Sequence, residues 1–329
     1  MRSLCWRVPV KKDCMKFYSF VILLFHKRAF KPHVFGLLIY LVLATQVVTG
    51  QKRGKSNELY ARNNLVAWVI VPSDAKNRTP EERAEMLDAF GITRLAYDWR
   101  ARQIPSFDDE LDALKKHHIG LQAFWLPTGP DPAHDEIIQK ILALLKRHHE
   151  KTALWVVVSG IPGVDTMSQE QKIAAFSKPV RYLAERAKAI SCAVGLYNFG
   201  GWFGEPENQL AIIHHVKMSN IGIVYNFHHA GTRIGQFSGF FPKILPYLMC
   251  INICGLIDSL PRKITPVGKG NLEFNLMRQI DASDYKGPIG IMNENFSPDS
   301  RLALEMNIAG IKAFLQETKN ERALKTYQP

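Results

Sequence analysis

Short apolar runs that alternate with amphipathic stretches are the feature that most restricts how this chain can fold. Runs of this length match buried strands, and most of the intervals between them contain a pattern with helical spacing. Each run is nearly continuous in apolar residues, as expected for strands that are covered on both faces. From Leu65 onward there are eight such runs: LVAWVIV, TRLAYD, GLQAFWL, ALWVVV, AVGLYN, IGIVYN, LMCINI and IGIM.

The intervals contain clear helix signals. The tetrad Thr79-Pro80-Glu81-Glu82 combines an N-cap, a proline at the first helical position and a capping-box acid. It predicts a helix that runs through Phe90 and ends at Gly91. Residues 134–150 and 298–317 repeat apolar side chains at helical spacing. Strands and helices therefore alternate along the chain.

Eight strand–helix units in about 265 residues are what a closed (β/α)8 TIM barrel needs. An open doubly wound sheet is the main alternative, and it usually carries a glycine-rich turn after its first strand. Here that position reads VPSDAKNRTPEE, without a glycine. We therefore predict an α/β fold with a single barrel domain, whose functional residues follow the strands.

The N-terminal region differs from the rest in composition. Basic residues up to Lys31 precede an uncharged apolar run over residues 34–50, which predicts either a cleaved export signal or an uncleaved membrane anchor over 1–50. The remaining boundaries are a linker over 51–63, the barrel over 64–317 and a C-terminal tail over 318–329. Export would place the protein in the periplasm or outside the cell.

The net charge of +12 is concentrated in the leader. Residues 1–50 hold eight of the 42 Lys and Arg but one of the 30 acids, which leaves the body with a net charge of +5. This balance, without basic stripes interleaved with aromatics, predicts no nucleic-acid partner. Contact with a membrane is expected only through an uncleaved N-terminal segment.

Three cysteines lie in the body. Cys250 and Cys254 fall within one predicted strand region, where they would stand about 13 Å apart, beyond disulfide reach. We predict that both, together with Cys192, are buried thiols.

Polar residues follow the predicted strands, where the barrel would gather them at one rim. The loop after the fifth strand is unusual, because it adds two aromatics and an acid, Trp202, Phe203 and Glu205, to a glycine pair. The other candidates at the strand ends are Asp98, Asn198, Asn226, His228, His229, Asn252 and Glu294.

Three segments carry a resemblance to a known family. VGKGNLEFNLMRQIDASDYKGPIGI (267–291), IVYNFHHA (223–230) and LYNFGGWFGEPEN (196–208) resemble the xylose isomerase-like TIM barrels, the sugar phosphate isomerase/epimerase superfamily, in an exported bacterial branch. The resemblance covers about residues 64 to 317. It implies an isomerase or epimerase that moves a proton next to a carbonyl of a sugar or oxidised sugar.

The resemblance also implies a metal site, from which this sequence departs. Members bind one or two divalent cations through a carboxylate at strand five, an Asp and a His at strand six, a His or Asp at strand seven and a Glu at strand eight. Only the histidine is matched well, by His229. The other positions fall on Tyr197, Asn226, Asn252 and Met292.

Neutral amides replace anionic oxygens there, and hard divalent cations prefer the latter. Glu294 lies two residues beyond Met292 and points the same way if the strand continues. The sequence therefore leaves two possibilities: a reduced site built from His229, Glu294 and Glu205 that holds one Mn, Mg or Zn ion, or no cofactor.

The expected catalytic residues are Glu205, Glu294 and His229, with Glu205 as a general base whose pKa is raised by burial against aromatic rings. The alternative for Glu205 is that it only begins the following helix, where an acid is favourable. A small carbohydrate would stack on aromatic rings while amides and imidazoles bind its hydroxyls. The residues assigned to substrate binding are Asp98, Asn198, Trp202, Phe203, Asn226, His228, Asn252 and Lys269, the last either as a phosphate ligand or as a solvated loop lysine.

Three functions remain open at this point. The first is an exported sugar isomerase or epimerase, metal-assisted or not. The second is a catalytically silent barrel that binds carbohydrate. The third is a glycosidase that uses Glu205 and Glu294, which would have to stand about 5 to 9.5 Å apart across the bond.

Overall fold

The computed structural model describes residues 58–259, 263–294 and 297–328. The predicted export signal or anchor over 1–50 lies outside the described residues. Residues Asn57–Pro329 form one compact unit. All strands and helices described below belong to that unit, so the barrel is complete without the N-terminal region.

Eight parallel strands close into a barrel, which confirms the predicted (β/α)8 architecture. Each barrel strand pairs with the next barrel strand along the chain, and the first pairs with the last, with Leu65 opposite Ile289. A short antiparallel hairpin, β8 and β9, is inserted after the seventh barrel strand. The strands are β1 Leu65–Trp68, β2 Arg94–Tyr97, β3 Gly120–Thr128, β4 Ala153–Val158, β5 Ala193–Tyr197, β6 Ile221–Asn226, β7 Leu248–Ile253, β8 Gly255–Ile257, β9 Lys263–Thr265 and β10 Ile289–Met292.

Helices connect the barrel strands, with short 3-10 segments at several strand ends. The α-helices are α1 Pro80–Ala89, α2 Phe107–Lys116, α3 Glu136–Arg147, α4 Gln169–Ala189, α5 Gly201–Gly204, α6 Pro206–Val216, α7 Phe237–Ile244, α8 Glu273–Asp281, α9 Ser300–Glu317 and α10 Glu321–Lys325.

The predicted helix starts are present in the structure. Thr79 and Glu82 form a complete capping box at α1, in which each side chain accepts a hydrogen bond from the other residue's backbone N–H. Asp135 caps α3 by accepting hydrogen bonds from two backbone N–H groups. Between α1 and α2 the buried Arg83 donates two hydrogen bonds to Glu110, at 2.9 and 2.8 Å. These contacts fix where the first helices begin and how they pack.

The barrel interior is packed with large side chains, and a small residue on β5 makes room for them. A Cβ atom on Gly195 would stand 2.6 Å from Val224 and 3.3 Å from Trp155. Because the contact with Val224 is too short for a real Cβ atom, a larger residue at this position would force Val224 to shift. Trp155 is fully buried.

The chain ends of the described unit are more ordered than the predicted linker and tail suggest. Tyr60, from the predicted linker, is fully buried and donates its hydroxyl hydrogen to the carbonyl of Met277. In the predicted tail, α10 forms and Tyr327 donates to the carbonyl of Tyr60. The two ends therefore close the same side of the barrel.

Two further expectations concern thiols and membrane spans. Cys192, Cys250 and Cys254 are buried free thiols, as predicted. The helices within the described residues are too short or too polar to span a bilayer.

Candidate active site

Four aromatic side chains fill the barrel interior just below the carboxyl ends of the strands. The ring centroids of Trp68 and Trp155 lie 4.8 Å apart, and those of Trp125 and Tyr197 lie 4.9 Å apart, both pairs edge to face. Such geometry is favourable for aromatic pairs. We call this layer the aromatic floor, formed by Trp68, Trp125, Trp155 and Tyr197.

Hydrogen bonds lock the aromatic floor to β6. The indole N–H of Trp68 donates to the hydroxyl oxygen of Tyr197 at 2.9 Å, and the amide of Asn226 donates to the same oxygen. The Asn226 side-chain oxygen accepts the backbone N–H of His228 at 2.9 Å. Tyr197 and Asn226 are at most 1% exposed. The floor is thus an uncharged layer that is tied to β6 by hydrogen bonds.

The resemblance to the xylose isomerase-like barrels implies metal ligands at four positions, one of which, Tyr197, belongs to the aromatic floor. Tyr197, Asn226, Asn252 and Met292 stand at the four ligand positions and are all buried. None of them carries a charge, and the Tyr197 and Asn226 polar groups already bond to each other. A divalent cation requires anionic oxygen or imidazole ligands. The residues present do not fit the family's metal.

The three asparagines at the strand ends, which the sequence assigned to substrate binding, make hydrogen bonds within the protein. Asn198 joins β5 to β6, because its amide donates to the Asn226 carbonyl at 3.0 Å and its side-chain oxygen accepts the Asn226 backbone N–H at 2.7 Å. Asn252 is fully buried next to Gly290 and accepts from the Cys250 thiol. Burial keeps all three away from a substrate in the mouth.

A cluster of mostly polar side chains lies above the floor. Several of its members come two positions in the chain after the last residue of a barrel strand. His228 Nε2 stands 3.6 Å from Glu294 Oε1, and the rings of His228 and His229 are 4.2 Å apart. His229 in turn contacts the ring of Phe199 at 4.5 Å. We call this group the mouth cluster: Asp98, Arg100, Phe199, His228, His229 and Glu294.

Two carboxyl groups in the mouth cluster are tuned toward neutral pH. Burial, reinforced by the nearby Asp98, raises the pKa of Glu294 to about 7. Burial also raises the pKa of Asp98 to about 6, although its ion pair with Arg100 opposes the shift. Carboxyl groups that titrate near pH 7 can both accept and return a proton, which is the property of a general acid–base.

The two histidines are uncharged at neutral pH. Burial lowers the pKa of His228 to about 4, and burial together with His228 lowers the pKa of His229 to about 3. Within the described part of the chain, the buried Nδ1 of His228 has no hydrogen-bond partner. The other ring nitrogen, Nε2, faces Glu294, and a neutral imidazole that carries its proton there can donate to a substrate oxygen without adding charge.

Phe199 supplies the exposed aromatic surface at the mouth, a residue that the sequence reasoning missed. It is 51% exposed and its ring lies 6.0 Å from that of Trp125. The predicted platform of Trp202 and Phe203 faces elsewhere, because both rings stack on Phe176 of α4, at 4.9 and 5.6 Å. The sequence contained one signal for Phe199: it lies two residues after Tyr197, and side chains on the same face of a strand recur every two residues.

Glu205 is engaged away from the mouth cluster. Its carboxylate pairs with Arg233 at 3.0 Å, and Arg233 also pairs with Glu207 at 2.6 Å. Glu205 precedes α6, as the structural alternative for this residue anticipated. Within residues 58–259, 263–294 and 297–328, no group of three or more His, Cys, Asp or Glu could hold a metal ion. The predicted set of His229, Glu294 and Glu205 is therefore not assembled.

The glycine loop around Lys269 is filled by a side chain of this protein. The carboxylate of Glu273 accepts the backbone N–H groups of Gly268 and Gly270, at 3.0 and 2.9 Å. Glu273 is buried, whereas Lys269 is exposed. A phosphate has no free backbone donors at these two glycines, which favours the solvated lysine over the phosphate ligand.

Comparison with solved structures finds barrels of the same fold. The 3-keto-D-glucoside 4-epimerase YcjR from E. coli superposes with a TM-score of 0.57 at 14% identity, covering 76% of this chain and 99% of that one. D-psicose 3-epimerase from Clostridium cellulolyticum H10, solved with D-tagatose, gives 0.53 at 13% identity, over 79% and 98%. The IOLI protein, solved with a zinc atom, gives 0.59 at 14% identity, over 77% and 98%.

No protein-family model and no curated protein matches the sequence. The structural likeness extends over almost the whole of each compared chain. It shows that this chain has the fold of the xylose isomerase-like TIM barrels, as the sequence resemblance predicted.

Proposed function

We propose that the chain is a sugar isomerase or epimerase that moves a proton next to a carbonyl without a metal ion, with Glu294 as the acid–base group. The observation that carries this proposal is Glu294 itself: a half-buried carboxyl group with a pKa of about 7, beside a neutral histidine, at the open end of the barrel. The solved barrels of this fold include two sugar epimerases.

Each residue of the mouth cluster has a distinct role in this proposal. Ionised Glu294 takes the proton from the carbon next to the carbonyl and delivers it to the former carbonyl carbon on the same face of the enediolate, while the hydroxyl proton passes between the two oxygens, which interconverts an aldose and a ketose. In an epimerisation, water on the opposite face would supply the second proton, and Glu294 would lose its proton to solvent. The neutral imidazole of His228 donates a hydrogen bond to the oxygen that becomes negative, a stabilisation that is strong in a partly dry site. Asp98 is too buried to touch substrate. It acts as a positioning residue that holds Arg100 and raises the pKa of Glu294.

The substrate class follows from the walls of the mouth. Phe199 and Trp125 present ring faces on which the apolar face of a sugar can stack. The guanidinium of Arg100, the arginine of the mouth cluster, is paired with Asp98. The mouth therefore favours an uncharged sugar or keto-sugar over a phosphorylated one.

The pH dependence of the reaction tests the role of Glu294. Because the base must be ionised, we expect kcat/KM to rise with pH through an apparent pKa near 7. Interaction with Asp98 makes this value a property of the pair. The measurement is a pH profile of proton exchange between solvent and a sugar substrate. If kcat/KM instead rises near pH 4.5, the ordinary pKa of a glutamate, or does not depend on pH, Glu294 is not the base.

Phe199→Ala tests the aromatic platform. We expect sugar binding to weaken about 3- to 10-fold, the value of one aromatic contact, with little change in stability because the ring is exposed. Leu302→Ala is the matched control, since Leu302 is also a large exposed apolar residue, at 47% against 51% for Phe199. Isothermal titration with a binding sugar measures both. Equal affinity in the two variants would place the sugar elsewhere.

A silent carbohydrate-binding barrel is the second candidate, and the uncharged residues at the metal positions are what favour it. It predicts sugar binding without proton exchange, whereas the first candidate predicts both. The glycosidase hypothesis loses its second carboxyl group, because Glu205 pairs with Arg233 rather than facing Glu294.

A further inference from the structure

A basic surface lies at the end of the barrel opposite to the mouth, where the strands begin. Helices α2 and α3 end in similar runs, KKHH over 115–118 and KRHH over 146–149, directly before β3 and β4. Lys151 follows the second run, and Lys188 stands in the last turn of α4, before β5. Three successive units of the barrel thus turn cations toward the same end.

A cavity of 570 Å³ opens in this surface, between the ends of α3 and α4. Four of its lining residues are basic, Lys146, Arg147, His149 and Lys151, and none is acidic. Its remaining lining is small or apolar, including Leu145 and Ile190. The cavity therefore combines cations with an apolar base.

Most of these cations are not neutralised by neighbours. Arg147 pairs with Asp108 and Lys116 with Glu81, and the carboxylate of Glu150 lies close enough to Lys115 to interact with it. Lys115, Lys146, Lys151 and Lys188 have no ion-pair partner among the residues that the structure describes. All four are exposed. The result is a surface with unbalanced positive charge.

The helix dipole alone does not account for the basic residues. One cation in the last turn already complements the carbonyl end of each helix, as Lys115 and Lys146 do. His118 and His149 lie beyond it, with φ angles of 55° and 56°. This left-handed position usually holds Gly or Asn, because other side chains are disfavoured there. Both imidazoles are exposed and contribute nothing to the core.

We propose that this basic surface docks on a lipid bilayer that contains anionic headgroups. Cations spread over three barrel units match an extended anionic surface better than a single small ligand. β1 also begins at this end, at Leu65. Seven residues, 51–57, separate the predicted apolar segment from Glu58 and can span at most about 25 Å. A retained anchor would hold this end near the membrane, with the mouth facing away.

Vesicle sedimentation tests the proposal with the chain from Gln51 to Pro329, which contains the whole barrel unit. Phosphatidylcholine vesicles with about 30 mol% phosphatidylglycerol are compared with phosphatidylcholine alone, at low salt. We expect binding to be at least about tenfold tighter on the anionic vesicles and to be lost at high salt, where surface charges are screened.

Charge reversal locates the surface. The triple variant Lys146→Glu, Lys151→Glu, Lys188→Glu should lower binding by about 30-fold or more. The matched control, Lys172→Glu, Lys178→Glu, Lys312→Glu, makes the same change in net charge on the outer faces of α4 and α9 and should retain most of the binding. A milder pair, Lys146→Gln with Lys151→Gln, serves if the triple variant does not fold.

Three outcomes would overturn the proposal. These are equal binding to neutral and anionic vesicles, equal loss in the two triple variants, and no sedimentation together with binding to soluble polyphosphate. The last would assign the surface to a soluble anionic partner. Each outcome leaves the proposed chemistry at the mouth untouched, because the two sites lie at opposite ends of the barrel.

Discussion

Glu294→Gln lowers the rate of proton transfer by about 100- to 10,000-fold, the range expected when a general base is removed. The amide keeps the size of the side chain but cannot accept a proton from carbon. Exchange of solvent deuterium into a sugar substrate measures the rate. Glu205→Gln is the matched control, and its rate should stay within about threefold of the wild type because Glu205 pairs with Arg233 outside the mouth cluster.

The same variant has a second, independent readout in stability. The pKa of Glu294 rises from 4.5 to about 7 on folding, so the folded state favours the neutral acid. Its stabilising contribution is present below pH 4.5 and is lost as pH rises through about 7. Glu294→Gln should therefore raise the free energy of unfolding at pH 8 by about 1–3 kcal/mol, with the gain shrinking toward pH 4. Unchanged stability at pH 8 would show that the carboxyl group is not desolvated.

Tyr197→Phe destabilises the aromatic floor. Removing the hydroxyl leaves the Trp68 indole N–H and the Asn226 amide without their acceptor, and each of these three residues is at most 2% exposed. Each unpaired buried donor costs about 1–3 kcal/mol, so the free energy of unfolding should fall by about 2–5 kcal/mol. Chemical denaturation measures this loss.

Tyr247→Phe is the control for the floor variant. The hydroxyl of Tyr247 forms a hydrogen bond with a single side chain, His214 at 2.9 Å, and that contact is exposed to water. Its loss should cost no more than about 0.5 kcal/mol. Similar losses in the two variants would mean that the floor is not held by the hydrogen bonds of Tyr197, and the argument against a family-like metal at this layer would weaken.

The fold was largely predictable because it depends on patterns that a sequence displays. Period and length separate buried strands from helices, and the capping box at Thr79 marks a helix start without tertiary information. The N-terminal and C-terminal limits of the barrel domain are harder to predict from sequence. Tyr60 and α10 are fixed by contacts between distant parts of the chain, which local composition cannot show.

The site was only partly predictable. The structure brings His228, Glu294 and Asp98 to one end of the barrel, since parallel strands bring their carboxyl ends together. Which of two adjacent histidines faces Glu294 depends on the backbone after β6, where Asn226 bonds the N–H of His228. The sequence could not show where the aromatic side chains of the glycine loop face, because they pack on Phe176 of α4, which lies over 20 residues away in sequence.

Solvent deuterium exchange on chelator-treated protein tests the central claim, that Glu294 moves protons in a metal-free mouth. Nuclear magnetic resonance would follow a panel of aldoses, ketoses and keto-sugars in deuterated water. We predict that at least one sugar gains deuterium at the carbon next to its carbonyl with wild-type protein, and that Glu294→Gln does not support this exchange. Absence of exchange with every sugar, or exchange that starts only when a divalent cation is added, would contradict the account.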